Sequence, residues 1–128
     1  MHVSVIVTCY NEERNIRECL ETLINQTYDN DKFEILVIDG GSKDATQSIV
    51  KEFEKVYHNV TLAVEPKRGT AAGRNRGVVT ARYDYVAFID ADCEAPHDWL
   101  STLVKDYVKI QKKSEGVVAV GGTNIPPE

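Results

Sequence analysis

Residues 85–92 read Tyr85-Val86-Ala87-Phe88-Ile89-Asp90-Ala91-Asp92, an apolar run set directly against two carboxylates. The run predicts a fully buried strand, because continuous apolar residues, rather than alternation, mark a strand covered on both faces. Two acids at the tip of such a strand need a reason. A turn is one, since Asp favours turns and helix caps. A ligand is the other. In open α/β sheets ligands bind outside the carboxyl ends of the strands, and two acids one residue apart can hold a hard divalent cation that still carries substrate phosphates. The triplet alone leaves both readings open.

Strand and helix patterns alternate on either side of it. Val3–Val7, Phe33–Ile38 and Val60–Val64 are short apolar strands, Tyr83–Ile89 is the fourth, and Gly116–Val120 is the last before Gly121-Gly122 breaks it. Glu12–Gln26 has helical spacing, with Ile16, Leu20, Leu23 and Ile24 on one face. Asp44–Tyr57 does too, with Ile49, Phe53 and Val56 inward and Asp44 and Gln47 at the spacing of a capping box. Thr70–Ala81 is a helix of small residues with Thr70 as its N-cap. Pro96–Gln111 carries the stripe Trp99, Leu103, Tyr107 and Ile110, with Pro96 in its first turn. Such alternation implies right-handed βαβ units. The expected fold is α/β, a mostly parallel sheet flanked by helices on both faces.

The length of 128 residues predicts one domain over 1–128. The tail Asn124-Ile125-Pro126-Pro127-Glu128 has no periodicity and reads as a cut made just after a strand. The net charge of −5 argues against nonspecific nucleic-acid binding, which needs a basic face. It leaves room for one small phosphorylated ligand. Cys9, Cys19 and Cys93 are odd in number and contain no C-x-x-C pair. They predict neither a disulfide framework nor a zinc site, and a reducing, cytoplasmic setting. Cys19 falls among helix-core positions as a small buried hydrophobe. Met1-His2-Val3-Ser4-Val5 runs straight into a strand without the pattern of a signal peptide. No apolar run approaches the roughly 20 residues that span a bilayer.

Polar residues collect where each strand ends: Thr8-Cys9-Tyr10-Asn11-Glu12, Asp39-Gly40-Gly41-Ser42-Lys43-Asp44, Lys67-Arg68-Gly69-Thr70 and Asp90-Ala91-Asp92. In a parallel sheet these four loops share one edge, and together they suit a nucleotide. Tyr10 offers a face on which a base can stack, worth roughly 1–3 kcal/mol; the alternative is a partly exposed loop tyrosine. Asp39 can accept hydrogen bonds from a base or ribose, or it can cap the turn that opens the second helix. The ligand reading is favoured because Ser42 and Asp44 already offer caps. Arg74 and Arg76, beside Lys67 and Arg68, place cations near a helix N-terminus, against the macrodipole. A pyrophosphate is a natural compensating anion, and a solvated basic face is the alternative. The first loop lacks the G-x-G-x-x-G of a dinucleotide-binding domain, and it also lacks the glycine- and arginine-rich loop of a nucleotidylyltransferase.

Four segments, Val3–Glu12, Asp39–Thr46, Ala72–Gly77 and Tyr85–Asp92, come in an order and spacing that resembles the family 2 glycosyltransferases with their GT-A fold. The resemblance covers almost the whole chain. It implies a Rossmann-like nucleotide-binding half, a UDP- or GDP-linked sugar donor, an acceptor it does not identify, and a divalent metal, Mn²⁺ or Mg²⁺. It places Thr8, Tyr10 and Glu12 around base and ribose, Asp39 on the base, Arg74 near base or phosphate, and Asp90 on the ribose. Asp90 and Asp92 would hold the metal that bridges the diphosphate, a Lewis acid for the departing nucleotide. Many members read Pro-Thr-Tyr-Asn-Glu after the first strand, where this chain has Thr8-Cys9-Tyr10-Asn11-Glu12. The resemblance also implies that the general base of inverting transfer belongs to an acceptor-binding half beyond Gly122. This chain would then be the donor-binding half of a larger enzyme, one that reaches a membrane only through its other parts. The competing expectation is a non-catalytic nucleotide-binding module or scaffold on the same fold.

Overall fold

The computed structural model describes residues 1–67 and 69–113, with side chains to residue 109. The strand expected at Gly116–Val120, the glycine pair after it, the Ile110 side chain and Arg68 lie outside the described residues.

Four parallel strands, β1 (Val3–Cys9), β2 (Phe33–Asp39), β3 (Val60–Val64) and β4 (Tyr85–Asp90), form one sheet in the order β3-β2-β1-β4. Helices α1 (Ile16–Ile24), α2 (Thr46–Val56), α3 (Thr70–Thr80) and α4 (Trp99–Lys113) connect or follow them. The α/β architecture is the one expected from the alternation. β1 lies between β2 and β4, which is why it is mostly apolar and why even Ser4 is fully buried. Val5 and Val7 join Ile16, Leu20, Leu23, Val50, Phe53, Trp99 and Leu100 in the larger core. Ile6, Leu36 and Ile38 form a smaller core on the other face, beneath α3.

That second face explains the small residues of α3. Gly73 and Gly77 stand one turn apart on the helix face that meets the sheet. A Cβ on Gly77 would lie 2.5 Å from Ile6 Cγ2, and one on Gly73 would lie 3.1 Å from Thr8 Cγ2. Gly77→Val is therefore expected to push α3 off β1 and lower stability by about 3 kcal/mol, the upper end of overpacking costs. Urea unfolding measures this, and a native midpoint would refute the close approach.

Several boundaries and burials differ from expectation. β4 begins at Tyr85, and only Ile89 in it is buried; Tyr85, Val86 and Phe88 keep 36–39% exposure. Among the described residues β4 is an edge strand, and α3 lies over β1 and β2, so its apolar content does not mean burial on both faces. α1 starts four residues late, because Glu12 O takes the amides of Asn15 and Ile16 in a turn. In α2, Val50 is buried where Val56 was expected; Val56 is 72% exposed in the helix's last turn. The capping box does not form. Asp44 accepts from Thr46 N, while the Gln47 amide goes to Asp39. Gly69 at φ 110° precedes α3 in place of a Thr70 cap, a conformation glycine adopts without a Cβ penalty. α4 starts at Trp99, three residues after Pro96, and Leu100 and Val104 join its inward stripe.

Candidate functional site

The parallel register brings the strand ends together: Thr8 pairs with Asp90 across β1 and β4, and Cys9 with Asp39 across β1 and β2. Over this edge opens a cleft of about 530 Å³. Thr8, Tyr10 and Glu12 line it from β1 and its loop, and Asp90 and Asp92 from the end of β4. Gly73 and Arg74 line it from α3, and Glu65 and Lys67 from the segment after β3. Six of the seven residues that the family resemblance implies thus face one cleft.

Asp39 is the exception: it stands beneath the cleft, engaged in the turn that follows β2. Its carboxylate is fully buried and does not line the cleft. Oδ2 accepts from Gly41 N at 2.9 Å, Ser42 N at 2.7 Å and Gln47 Nε2 at 2.7 Å. Oδ1 accepts from the Ser42 hydroxyl at 2.5 Å and from Cys9 Sγ at 3.4 Å. Ser42, expected to relieve Asp39 of the capping role, donates to it instead. Burial alone would raise this carboxyl's pKa. The hydrogen bonds from Ser42 and Gln47 outweigh burial and hold it below the ordinary value.

Sequence reasoning missed how the first two loops are joined. Asn11 sits at φ 52°, in the left-handed region that Asn tolerates better than most residues. From there Asn11 N donates to Ser42 Oγ at 2.7 Å, and Asn11 Oδ1 accepts from Lys43 N at 2.9 Å. Glu12 N donates to Thr46 Oγ1 at 2.8 Å and Glu13 N to Asp44 Oδ2 at 3.3 Å. Tyr10 and Glu12 are therefore held against the second loop from both sides. The only signal in the sequence was Asn in a loop, which does not name its partner.

The basic residues separate into two roles. Arg76 pairs with Glu65 at 3.2 Å, so its charge is already compensated. Arg74 has no carboxylate partner among the described residues; its guanidinium carbon stands 5.5 Å from the Phe88 ring centroid at the edge of the cleft. Lys67 also lines the cleft without a carboxylate partner among the described residues.

Asp90 and Asp92 are exposed at the strand end. Ala91 N bonds Thr8 O at 3.3 Å and Cys93 N bonds Asp90 O at 3.0 Å, which fixes the turn between them. Among the described residues no three metal-ligating side chains come together. Two hard, solvent-facing carboxylates do not make a complete protein cage. They do fit Mg²⁺ or Mn²⁺ that fills its shell with water and phosphate oxygens.

The cysteines are placed as thiols rather than thiolates. All three are free and buried. Burial pushes the Cys19 thiol up to about 12, and burial followed by the hydrogen bond to Asp92 pushes Cys93 up to about 11. Burial and Asp39 raise Cys9 as well. The expected result is resistance of all three thiols to iodoacetamide at pH 8 in the native state, and full labelling in urea, read by mass spectrometry.

No helix among the described residues is long and apolar enough to cross a membrane. The sequence model described as glycosyl transferase family 2 matches residues 4–121. Glycosyltransferase AglE of Haloferax volcanii is 38% identical over 121 residues, spanning 94% of this chain and 38% of its own length. The mannosyltransferase PcManGT of Pyrobaculum calidifontis, solved with GDP-Man and Mn²⁺, superposes with a TM-score of 0.76 at 36% identity, over 81% of this chain and 31% of its own. S. aureus TarS superposes with a TM-score of 0.73 at 30% identity, over 88% and 33%, and has also been solved with UDP. The chain thus spans about a third of the length of these relatives.

Proposed function

Because the chain belongs to glycosyl transferase family 2 and has its GT-A fold, we propose that it is the donor-binding domain of a metal-dependent, inverting glycosyltransferase. One observation carries this reading: Thr8, Tyr10, Glu12, Arg74, Asp90 and Asp92 converge on a single cleft at the carboxyl edge of the sheet. Tyr10 stacks on the base, and Thr8 and Glu12 surround base and ribose. Arg74 meets the diphosphate. Asp90 reaches the ribose and, with Asp92, holds Mn²⁺ or Mg²⁺. Asp39 shapes the turn beneath the base. A metal held there supplies Lewis-acid stabilisation to the departing nucleotide diphosphate. The ligands bound in the neighbouring structures, GDP-Man with Mn²⁺ and UDP, support a nucleotide-sugar donor. The base that activates the acceptor is assigned to a part of a longer protein, in keeping with the 38% of AglE that this chain spans. That longer protein would work at the cytoplasmic face of a membrane.

Calorimetric titration with UDP and with GDP, each with and without Mn²⁺, tests the reading. Metal-dependent binding of a nucleotide is expected, with Mn²⁺ alone binding much more weakly, since two carboxylates leave most of its shell to water and phosphate. No binding of either nucleotide would overturn the proposal.

A further inference from the structure

Glu65 is the acidic residue at the far end of the cleft, which the proposed donor chemistry leaves without a task. The order β3-β2-β1-β4 sets the four strand ends in a row. Adjacent strands lie about 4.8 Å apart, so the β4 end and the β3 end are on the order of 14 Å apart, comparable to a nucleoside diphosphate from phosphate to base edge. With the diphosphate at Asp90 and Asp92, the base extends past Tyr10 toward the segment after β3. Glu65 N is anchored there to Asp39 O at 2.8 Å. Its side chain is only 18% exposed, and its Oε2 accepts from Arg76 Nη2 at 3.2 Å and Nε at 3.4 Å. Oε1 accepts no hydrogen bond from any described residue. Lys67 lines the same end and has no carboxylate partner among the described residues.

We infer that Glu65, held by Arg76 and flanked by Lys67, reads the base and selects guanine over uracil. The inference rests on the donor-site reading above. Guanine presents N1–H and the N2 amino group side by side, two donors that one carboxylate accepts together, and beside them O6, which a lysine ammonium can meet. Uracil presents a single N3–H between two carbonyl oxygens. A carboxylate that takes this proton brings its second oxygen against a carbonyl lone pair.

The test is titration of the chain and of Glu65→Gln with GDP and with UDP, both in Mn²⁺, with thermal midpoints confirming that the variant folds. The native chain is expected to bind GDP at least about tenfold more tightly than UDP, the scale of a charge-assisted contact. Glu65→Gln should cut GDP affinity about tenfold and leave UDP within about threefold. Equal or tighter binding of UDP by the native chain overturns the assignment while the donor site stands. So does a GDP preference that survives in Glu65→Gln. Binding of neither nucleotide overturns the donor-site reading and this inference together.

Discussion

Asp92→Asn is expected to remove metal-dependent nucleotide binding while leaving the chain as stable as before. Asn is nearly the same size and keeps one oxygen, but it gives up the negative charge that a hard divalent cation requires. Asp92 is exposed, and its side chain accepts only a long 3.5 Å contact from Cys93 Sγ among the described residues, so little folding energy depends on it. Changing groups one shell further from a metal already costs about 10–100-fold in affinity. Loss of one of only two protein carboxylates should cost at least about a hundredfold. Two readouts separate function from folding. In calorimetry, the Mn²⁺-dependent component of nucleotide binding disappears. In thermal unfolding without ligand, the midpoint is unchanged, whereas the stabilisation by saturating nucleotide and Mn²⁺, about 2.7 kcal/mol at a hundred times Kd for the native chain, is lost. Native affinity in Asp92→Asn would take the metal away from this strand end and return the triplet to its other reading, a turn.

How far the sequence could carry this is clearest from particular residues. Asp90 and Asp92 were legible because a strand's apolar run ends abruptly in acids, and parallel topology then dictates where such ends gather. Asp39 was not. Asp39, Ser42 and Asp44 were three candidate caps within six residues, and their roles are settled by contacts across more than thirty residues of sequence. Asn11 N takes Ser42 Oγ and Glu13 N takes Asp44 Oδ2, so Asp39 is left with the turn amides. Glu65 was invisible for a related reason. A lone Glu after a strand has no pattern, and only the pairing of Asp39 with Val64 puts the next residue at the edge. The run at Tyr85–Ile89 was legible as a strand but misleading as to burial. Apolar content records a strand's average surroundings, whereas the exposure of Val86 and Phe88 depends on which neighbour lies beyond β4.

The turn that Asp39 holds has a consequence for stability larger than any surface change. Asp39→Ala would leave the amides of Gly41 and Ser42, the Ser42 hydroxyl and the Gln47 amide without their acceptor. An unsatisfied buried donor costs about 1–3 kcal/mol, more where the lost partner was charged. Gly41, Ser42 and Gln47 are only half-buried, so water can reach some of them and the costs do not add in full. A net loss of about 3–4 kcal/mol is expected, a large share of the stability of a domain this size. Asp39→Asn keeps one acceptor but turns an amino group toward a ring of donors, and should lose about half as much. The pH dependence identifies the carboxylate as the cause. Its folded pKa is held below the ordinary value, so its stabilisation is complete above the unfolded pKa of about 3.9 and is lost as pH falls through the lower folded value. The difference in unfolding free energy between the native chain and Asp39→Asn should therefore be constant from pH 7 to pH 5 and shrink below pH 4. Urea unfolding at pH 7, 5 and 3 measures it. A variant as stable as the native chain at pH 7, or a difference that widens on acidification, would show that the turn does not depend on this charge. The same loosened turn lies beneath Tyr10, whose ring is 3.5 Å from the position a Cβ on Gly40 would take, so weaker nucleotide binding is expected in the same variant.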